Sequence, residues 1–177
     1  MQDQAIRYAG WTPAATDMVI DGKAAYNVMG DWAVAEFTDK GKKEQTDYTY
    51  FAVPGTDGVF DFLSDSFTLP TGARHPDLAR RWLVECGSVA GQDLFNPLKG
   101  SIPARTDVDS SHYTGYLAWD LDQWRDPRTR IVGSLTHGVV ADNAWNAEID
   151  TALELYLRDG DPARFAEAVA TAYEDSR

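Results

Sequence analysis

Gly91-Gln92-Asp93-Leu94-Phe95-Asn96-Pro97-Leu98-Lys99-Gly100-Ser101-Ile102-Pro103-Ala104-Arg105 is the stretch on which the reading of this 177-residue chain turns. A helical pattern covers residues 89–95. Asn96-Pro97 then supplies a stop, because proline lacks the N–H that a helix interior needs. Pro97-Leu98-Lys99-Gly100 reads as a tight loop that presents the Lys99 ammonium in a fixed place, and residues 101–105 read as extended chain.

Upstream of this stretch, Pro76 opens an amphipathic helix in which Leu78, Trp82 and Cys86 repeat at i, i+4, i+8, with Ala79 and Leu83 alongside. Cys86 is the single cysteine, so no internal disulfide forms, and its apolar setting predicts a buried, inert thiol. Residues 59–69 are rich in strand formers and end at Pro70-Thr71-Gly72. Residues 48–53 read as a strand ended by Pro54-Gly55, and residues 40–46 as a charged loop. Nearer the start, Thr12 serves as N-cap for a helix opened by Pro13, running to Ile20 and stopped by Gly22. Residues 24–29 read as a strand, from which Gly30-Asp31-Trp32 turns into a helix through Ala33, Ala35 and Phe37.

Downstream, the chain is mostly helical from Ser110. Ile149, Leu153 and Leu157 mark one helix closed by Gly160. Asp161-Pro162 caps a last one with Phe165, Val169 and Tyr173 on a face. Neither repeats nor linkers interrupt this order. The pattern is α/β or α+β, with more helix than strand.

Composition removes whole classes of function. Hydrophobic content of 44% and charged content of 25% fit a folded chain, and no apolar run approaches the roughly 20 residues of a membrane span. Sixteen basic residues against 28 acidic ones leave a net charge of −12, spread along the chain. Nucleic acid and anionic membrane surfaces call for the opposite sign. Met1-Gln2-Asp3-Gln4 is polar and acidic, without the apolar region of a signal peptide.

Catalytic and cofactor signatures are missing as well. The sequence holds neither G-x-S-x-G nor a phosphate-binding glycine loop. Its three histidines, His75, His112 and His137, have no metal-ligand spacing, so neither metal nor cofactor is expected. Paired carboxylates, Asp65 with Glu36 or Asp61, leave open a carbohydrate-active enzyme of the glycoside hydrolase type. The other reading is a binding site for something polar with apolar faces. A pyranose ring stacks on tryptophan, and its hydroxyls bond to carboxylate, ammonium and imidazole. Trp11 and Trp32 lie near the ends of elements. Asp65, between Leu63 and Phe67, reads as a carboxylate in apolar surroundings that needs a partner.

Three blocks resemble family 1 extracellular solute-binding proteins of carbohydrate ABC transporters, in the glucose- and mannose-binding branch. They are Asn27-Val28-Met29-Gly30-Asp31-Trp32, then Gly58-Val59-Phe60-Asp61-Phe62-Leu63-Ser64-Asp65-Ser66-Phe67, and the run from Ala90 to Asp107. Their order matches too. The resemblance implies a type II periplasmic-binding-protein-like fold, present here in its C-terminal half, and no enzymatic activity. It implies a glucose-like monosaccharide as ligand, ABC permease subunits as partners, and a place outside the cytoplasmic membrane, periplasmic or attached to its outer face. By the same resemblance the sugar is held by Trp11, Trp32, Asp65, Lys99 and His137. Residues 1–70 correspond to the second lobe leading into the hinge, 71–100 to a return into the first lobe, and 101–177 to the helical end of the second. Members of the family are longer, so an N-terminal half is expected as a further partner. Its absence is read as truncation, proteolysis, an incomplete gene model or a separate chain, and it would leave the helix over residues 78–86 without its sheet.

Overall fold

The computed structural model describes residues 13–176. Thr12 as an N-cap, and Trp11, lie outside the described residues. The elements in order are α1 (Pro13–Ile20), α2 (Ala33–Asp39), β1 (Val59–Phe62), α3 (Pro76–Cys86), α4 (Val89–Lys99), α5 (Tyr116–Arg125), β2 (Arg130–Gly133), α6 (Asn143–Asp159) and α7 (Pro162–Asp175), with a 3₁₀ turn at Ser110–His112 before α5. They fall into two compact units, one holding Phe67–Thr129 with the described residues up to Gly58, the other holding Val59–Ser66 and Arg130–Arg177.

The first unit is helical. Its core is Val108, Tyr113, Leu117 and Leu121, with Ile102 and Tyr116 packed against it. Glu44 accepts a hydrogen bond from the Tyr116 backbone nitrogen at 3.1 Å. That carboxylate serves the start of α5, where unpaired N–H groups and the helix dipole favour negative charge. Phe37, buried on α2, stacks on Tyr48 with ring centroids 4.1 Å apart.

The expected stop at Asn96-Pro97 is not one. α4 runs on through Pro97 to Lys99, and Gly100 ends it in the left-handed conformation with φ 80°, its N–H donating to the Asn96 carbonyl. Proline in the last turn removes one helical bond only, so the helix can continue through it to Lys99. Buried Asn96 donates to the Gln92 carbonyl at 2.8 Å and accepts from the Ser101 hydroxyl at 2.8 Å. Gln92 donates to the Cys86 carbonyl at 2.9 Å and accepts from the Ala104 nitrogen at 3.0 Å. Arg105 reaches the Gly87 carbonyl at 3.0 Å. The decisive stretch is thus largely a device for folding residues 101–105 back along α4.

Two expected strands do not form. Residues 24–29 and 48–53 are irregular apart from a single bridge between Glu44 and Tyr48. A strand is stabilised by its ladder, and beyond that one bridge no ladder with described residues forms along these segments. The strand expected over residues 59–69 stops at Phe62. On α3 the expected seam is open: Leu78 and Trp82 are 60% and 53% exposed, while Ala79, Leu83 and Cys86 are only half-buried. The Cys86 thiol is therefore not the fully buried group expected. Trp82 does meet Phe67, ring centroids 4.9 Å apart.

The second unit is built on β1 and β2, paired in parallel from Val59↔Arg130 to Phe62↔Gly133. α6 and α7 form its helical hairpin. Gly160 closes α6 at φ 72°, Asp161 caps α7 through the nitrogens of Ala163 and Arg164, and Arg164 pairs with Asp159 at 3.0 Å. The buried face of α6 is rotated from the one expected. Ala152, Leu155 and Tyr156 turn inward, Tyr156 meeting Phe165 at 5.6 Å, whereas Leu153 and Leu157 are exposed. Tyr173 is likewise largely exposed, though its ring lies against Trp145.

Candidate functional site

Trp32 sits at the N-cap of α2. A β-carbon on Gly30 would collide with the indole of Trp32, so it is the bare glycine that lets the ring fold back over the main chain. Asp31 Oδ1 accepts from the Trp32 nitrogen at 2.9 Å, and the Gly30 carbonyl accepts from the Ala33 nitrogen at 3.2 Å. Asn27 ties this segment to α1 by donating to the Oγ1 of fully buried Thr16 at 3.0 Å. The Asn27–Trp32 block is a turn that orients an indole.

Lys99 is the last residue of α4 and half-buried. Immediately after it, Gly100 approaches α2 so closely that a β-carbon would stand 3.2 Å from the Ala35 nitrogen and 3.3 Å from the Trp32 Cα. Lys99 and Trp32 are brought to one junction by this contact. Lys99 also borders an apolar recess of ≈ 370 Å³ with Gly91, Leu94, Phe95 and Leu98.

Asp65 and His137 belong to the other unit. Asp65 follows the end of β1 at Phe62, and His137 follows the end of β2 at Gly133, which is the residue paired with Phe62. Both side chains therefore come from loops at the carboxyl ends of two adjacent parallel strands, the edge at which α/β sheets bind ligands. Asp65 is exposed. The expectation of a carboxylate in apolar surroundings is not met, because the strand has already ended before Asp65. Of the other carboxylates considered, Asp61 is exposed on β1, and Glu36 lies on α2 in the first unit. Among the described residues no group of three or more His, Cys, Asp or Glu side chains is placed to hold a metal ion.

Two residues with evident roles were missed in the sequence. Asp120 is buried on α5 beside Leu117 and Leu121. Burial first, then the charge of Asp31, pushes its carboxyl up to about 7, and burial followed by the charge of Asp120 raises the Tyr116 phenol. Its signal was available: an acid at helical spacing within an apolar stripe. Ser134, 2% exposed, bonds to His137. Nothing in Ser134-Leu135-Thr136-His137-Gly138 announces which serine is buried.

No family model matches the chain. Curated relatives do match. An ABC transporter extracellular-binding protein of Pyrococcus horikoshii is 36% identical over 140 residues, which is 79% of this chain and 31% of that protein. A "Probable sugar-binding periplasmic protein" of Brucella suis is 35% identical over 127 residues, 70% of this chain and 30% of its own length. The chain is similar in sequence to these extracellular and periplasmic binding proteins. A xylose/arabinose-binding protein of Haloferax volcanii matches as well, 36% identical over 128 residues, 71% of this chain and 27% of that protein. The chain spans less than a third of the length of each of these homologues. All three are named as binding proteins, not enzymes, and as a class they imply a periplasmic-binding-protein-like fold. No helix among the described residues is long and apolar enough to cross a membrane.

Proposed function

We propose that the chain is part of the substrate-binding component of a carbohydrate ABC importer, working outside the cytoplasmic membrane. It captures a glucose-like monosaccharide between two lobes of a type II binding-protein fold and delivers it to the permease, without chemistry on the sugar. Trp11, Trp32, Asp65, Lys99 and His137 hold the ligand. Tryptophan stacks on the C–H face of the ring, and the charged groups bond its hydroxyls more strongly than neutral ones would. The single observation that carries this reading is the sugar-binding relatives, and the placement of Asp65 and His137 at two neighbouring strand ends supports it. Residues 1–70 and 101–177 are assigned to the second lobe and 71–100 to the first. The open apolar face of α3 favours a further segment, outside the described residues, as partner of residues 71–100.

Intrinsic tryptophan fluorescence and thermal melting, titrated with glucose, galactose, mannose, xylose and a disaccharide, test the proposal. A sugar-specific response that disappears in Asp65→Ala is expected. A folded protein that responds to none of these sugars overturns the carbohydrate reading, and turnover of an aryl glycoside overturns the non-catalytic one.

A further inference from the structure

One buried residue organises the loop that carries His137. The Ser134 nitrogen donates to the Phe62 carbonyl of β1 at 2.8 Å, and the Ser134 carbonyl accepts from the Val139 nitrogen at 3.1 Å. The Ser134 hydroxyl lies 2.8 Å from Nδ1 of His137. The loop is closed further by the Gly138 nitrogen donating to the Leu135 carbonyl at 3.2 Å, with Gly138 at φ 75°. Gly133 makes room for the returning chain, since a β-carbon there would stand 2.7 Å from side-chain methyls of both Val139 and Val140.

We propose that Ser134 is the positioning residue for His137, its buried hydroxyl donating to Nδ1 and thereby holding the imidazole as the Nε2–H tautomer that donates to a ligand oxygen. The reasoning is one of satisfying a buried donor. Ser134 is 2% exposed, and among the described residues Nδ1 of His137 is the one acceptor bonded to its hydroxyl. If Nδ1 carried the proton, the serine hydrogen would be buried without an acceptor, which costs the desolvation of that group. With the serine donating, the imidazole proton resides on Nε2. Thr136 Oγ1 lies 3.3 Å from the same nitrogen and, being exposed, fits either tautomer. Because the serine backbone is anchored to β1, the ring is fixed relative to the strand ends from which Asp65 also emerges. The consequence for a ligand rests on His137 being a sugar ligand, as proposed above; the hydrogen bond does not.

The test has two arms. In the first, ¹⁵N shifts of the His137 ring nitrogens are read at mildly alkaline pH in the 177-residue protein, in Ser134→Ala and in Ser134→Thr. An Nε2–H pattern is expected, with an Nδ1 shift that moves in the alanine variant and returns in the threonine variant. An Nδ1–H tautomer, or an Nδ1 shift indifferent to Ser134→Ala, overturns the proposal. In the second arm, affinity is measured for the sugar giving the largest fluorescence response. Ser134→Ala lowers it roughly tenfold, the low end of what loss of an orienting partner costs metal-ligating histidines, and has no further effect in a His137→Ala background. A full additional loss in that background overturns the claim that Ser134 acts through His137. Failure of every sugar to bind would defeat the sugar reading alone and leave the nitrogen shifts to decide the bond.

Discussion

Gly100 is set against Trp32: a β-carbon on the glycine would lie 3.3 Å from the tryptophan Cα, and 3.3 Å from the carbonyl oxygen of Asp31. This contact couples the end of α4, where Lys99 sits, to the turn that presents the indole. It rests on a residue that lacks a side chain and adopts φ 80°.

Gly100→Ala therefore meets two penalties, a left-handed backbone and a close approach to main-chain atoms that cannot swing aside. A loss of about 1–3 kcal/mol in stability is expected. Thermal and urea unfolding measure it. An unchanged midpoint would mean that the junction relaxes freely and does not define the Lys99–Trp32 geometry.

Gly30→Ala should behave differently. Gly30 does not have a positive φ, and the three atoms nearest the added carbon all belong to the indole of Trp32. The side chain must rotate away. Stability should change less than in Gly100→Ala, while the emission of Trp32 and any sugar-induced quenching should change more. Comparable emission spectra for wild type and variant, with Trp32→Phe as reference, would contradict this.

Asp120 makes stability depend on pH in a direction that can be worked out. In the unfolded chain its carboxyl ionises near 3.8; in the folded chain burial and Asp31 hold the proton until about 7. Between those values the native state binds more protons than the unfolded state, so the contribution of Asp120 to stability falls as pH rises through that window and stays low above it. Asp120→Asn removes the titration. It should melt higher than wild type at about pH 8 by the equivalent of a few kcal/mol, ~4 at most at 1.36 per pKa unit, and the advantage should vanish by about pH 4. An advantage that is the same at both pH values would point to packing instead.

Gln92 links α4 to both of its flanks through the Cys86 carbonyl and the Ala104 nitrogen. Gln92→Ala leaves those backbone groups without their partner and should cost about 1–3 kcal/mol. Amide exchange at Ala104 should quicken beyond the change in global stability. Protection at Ala104 equal to wild type would show that the extended segment is held by Arg105 and Ser101 alone.

Local rules account well for where helices begin and end here. Proline and glycine restrict or free the backbone whatever surrounds them, so Gly22, Pro76, Gly160 and Asp161-Pro162 can be read directly, and the structure places helix boundaries at each. The candidate residues Trp32, Asp65 and Lys99 lie in the blocks that carry the resemblance, His137 follows from the resemblance without a motif around it, and the structure adds which elements carry them.

Other features were decided only by contacts between segments distant in the chain. Residues 24–29 and 48–53 have strand-like composition but form no ladder with described residues beyond the Glu44–Tyr48 bridge, and a ladder is what turns that composition into a strand. Pro97 stays inside α4, in a turn where the buried Asn96 is bonded to Gln92 and to Ser101 beyond the helix end. The burial of Asp120 and of Ser134 depends on neighbours that no local pattern specifies, and with it their proton affinity and hydrogen-bond partners. Sequence by itself determined the helical punctuation and the chemical inventory of this protein, because both depend on single residues and their immediate neighbours. Tertiary structure decided which polar groups are removed from water and which side chains meet, because desolvation and contact belong to pairs of segments.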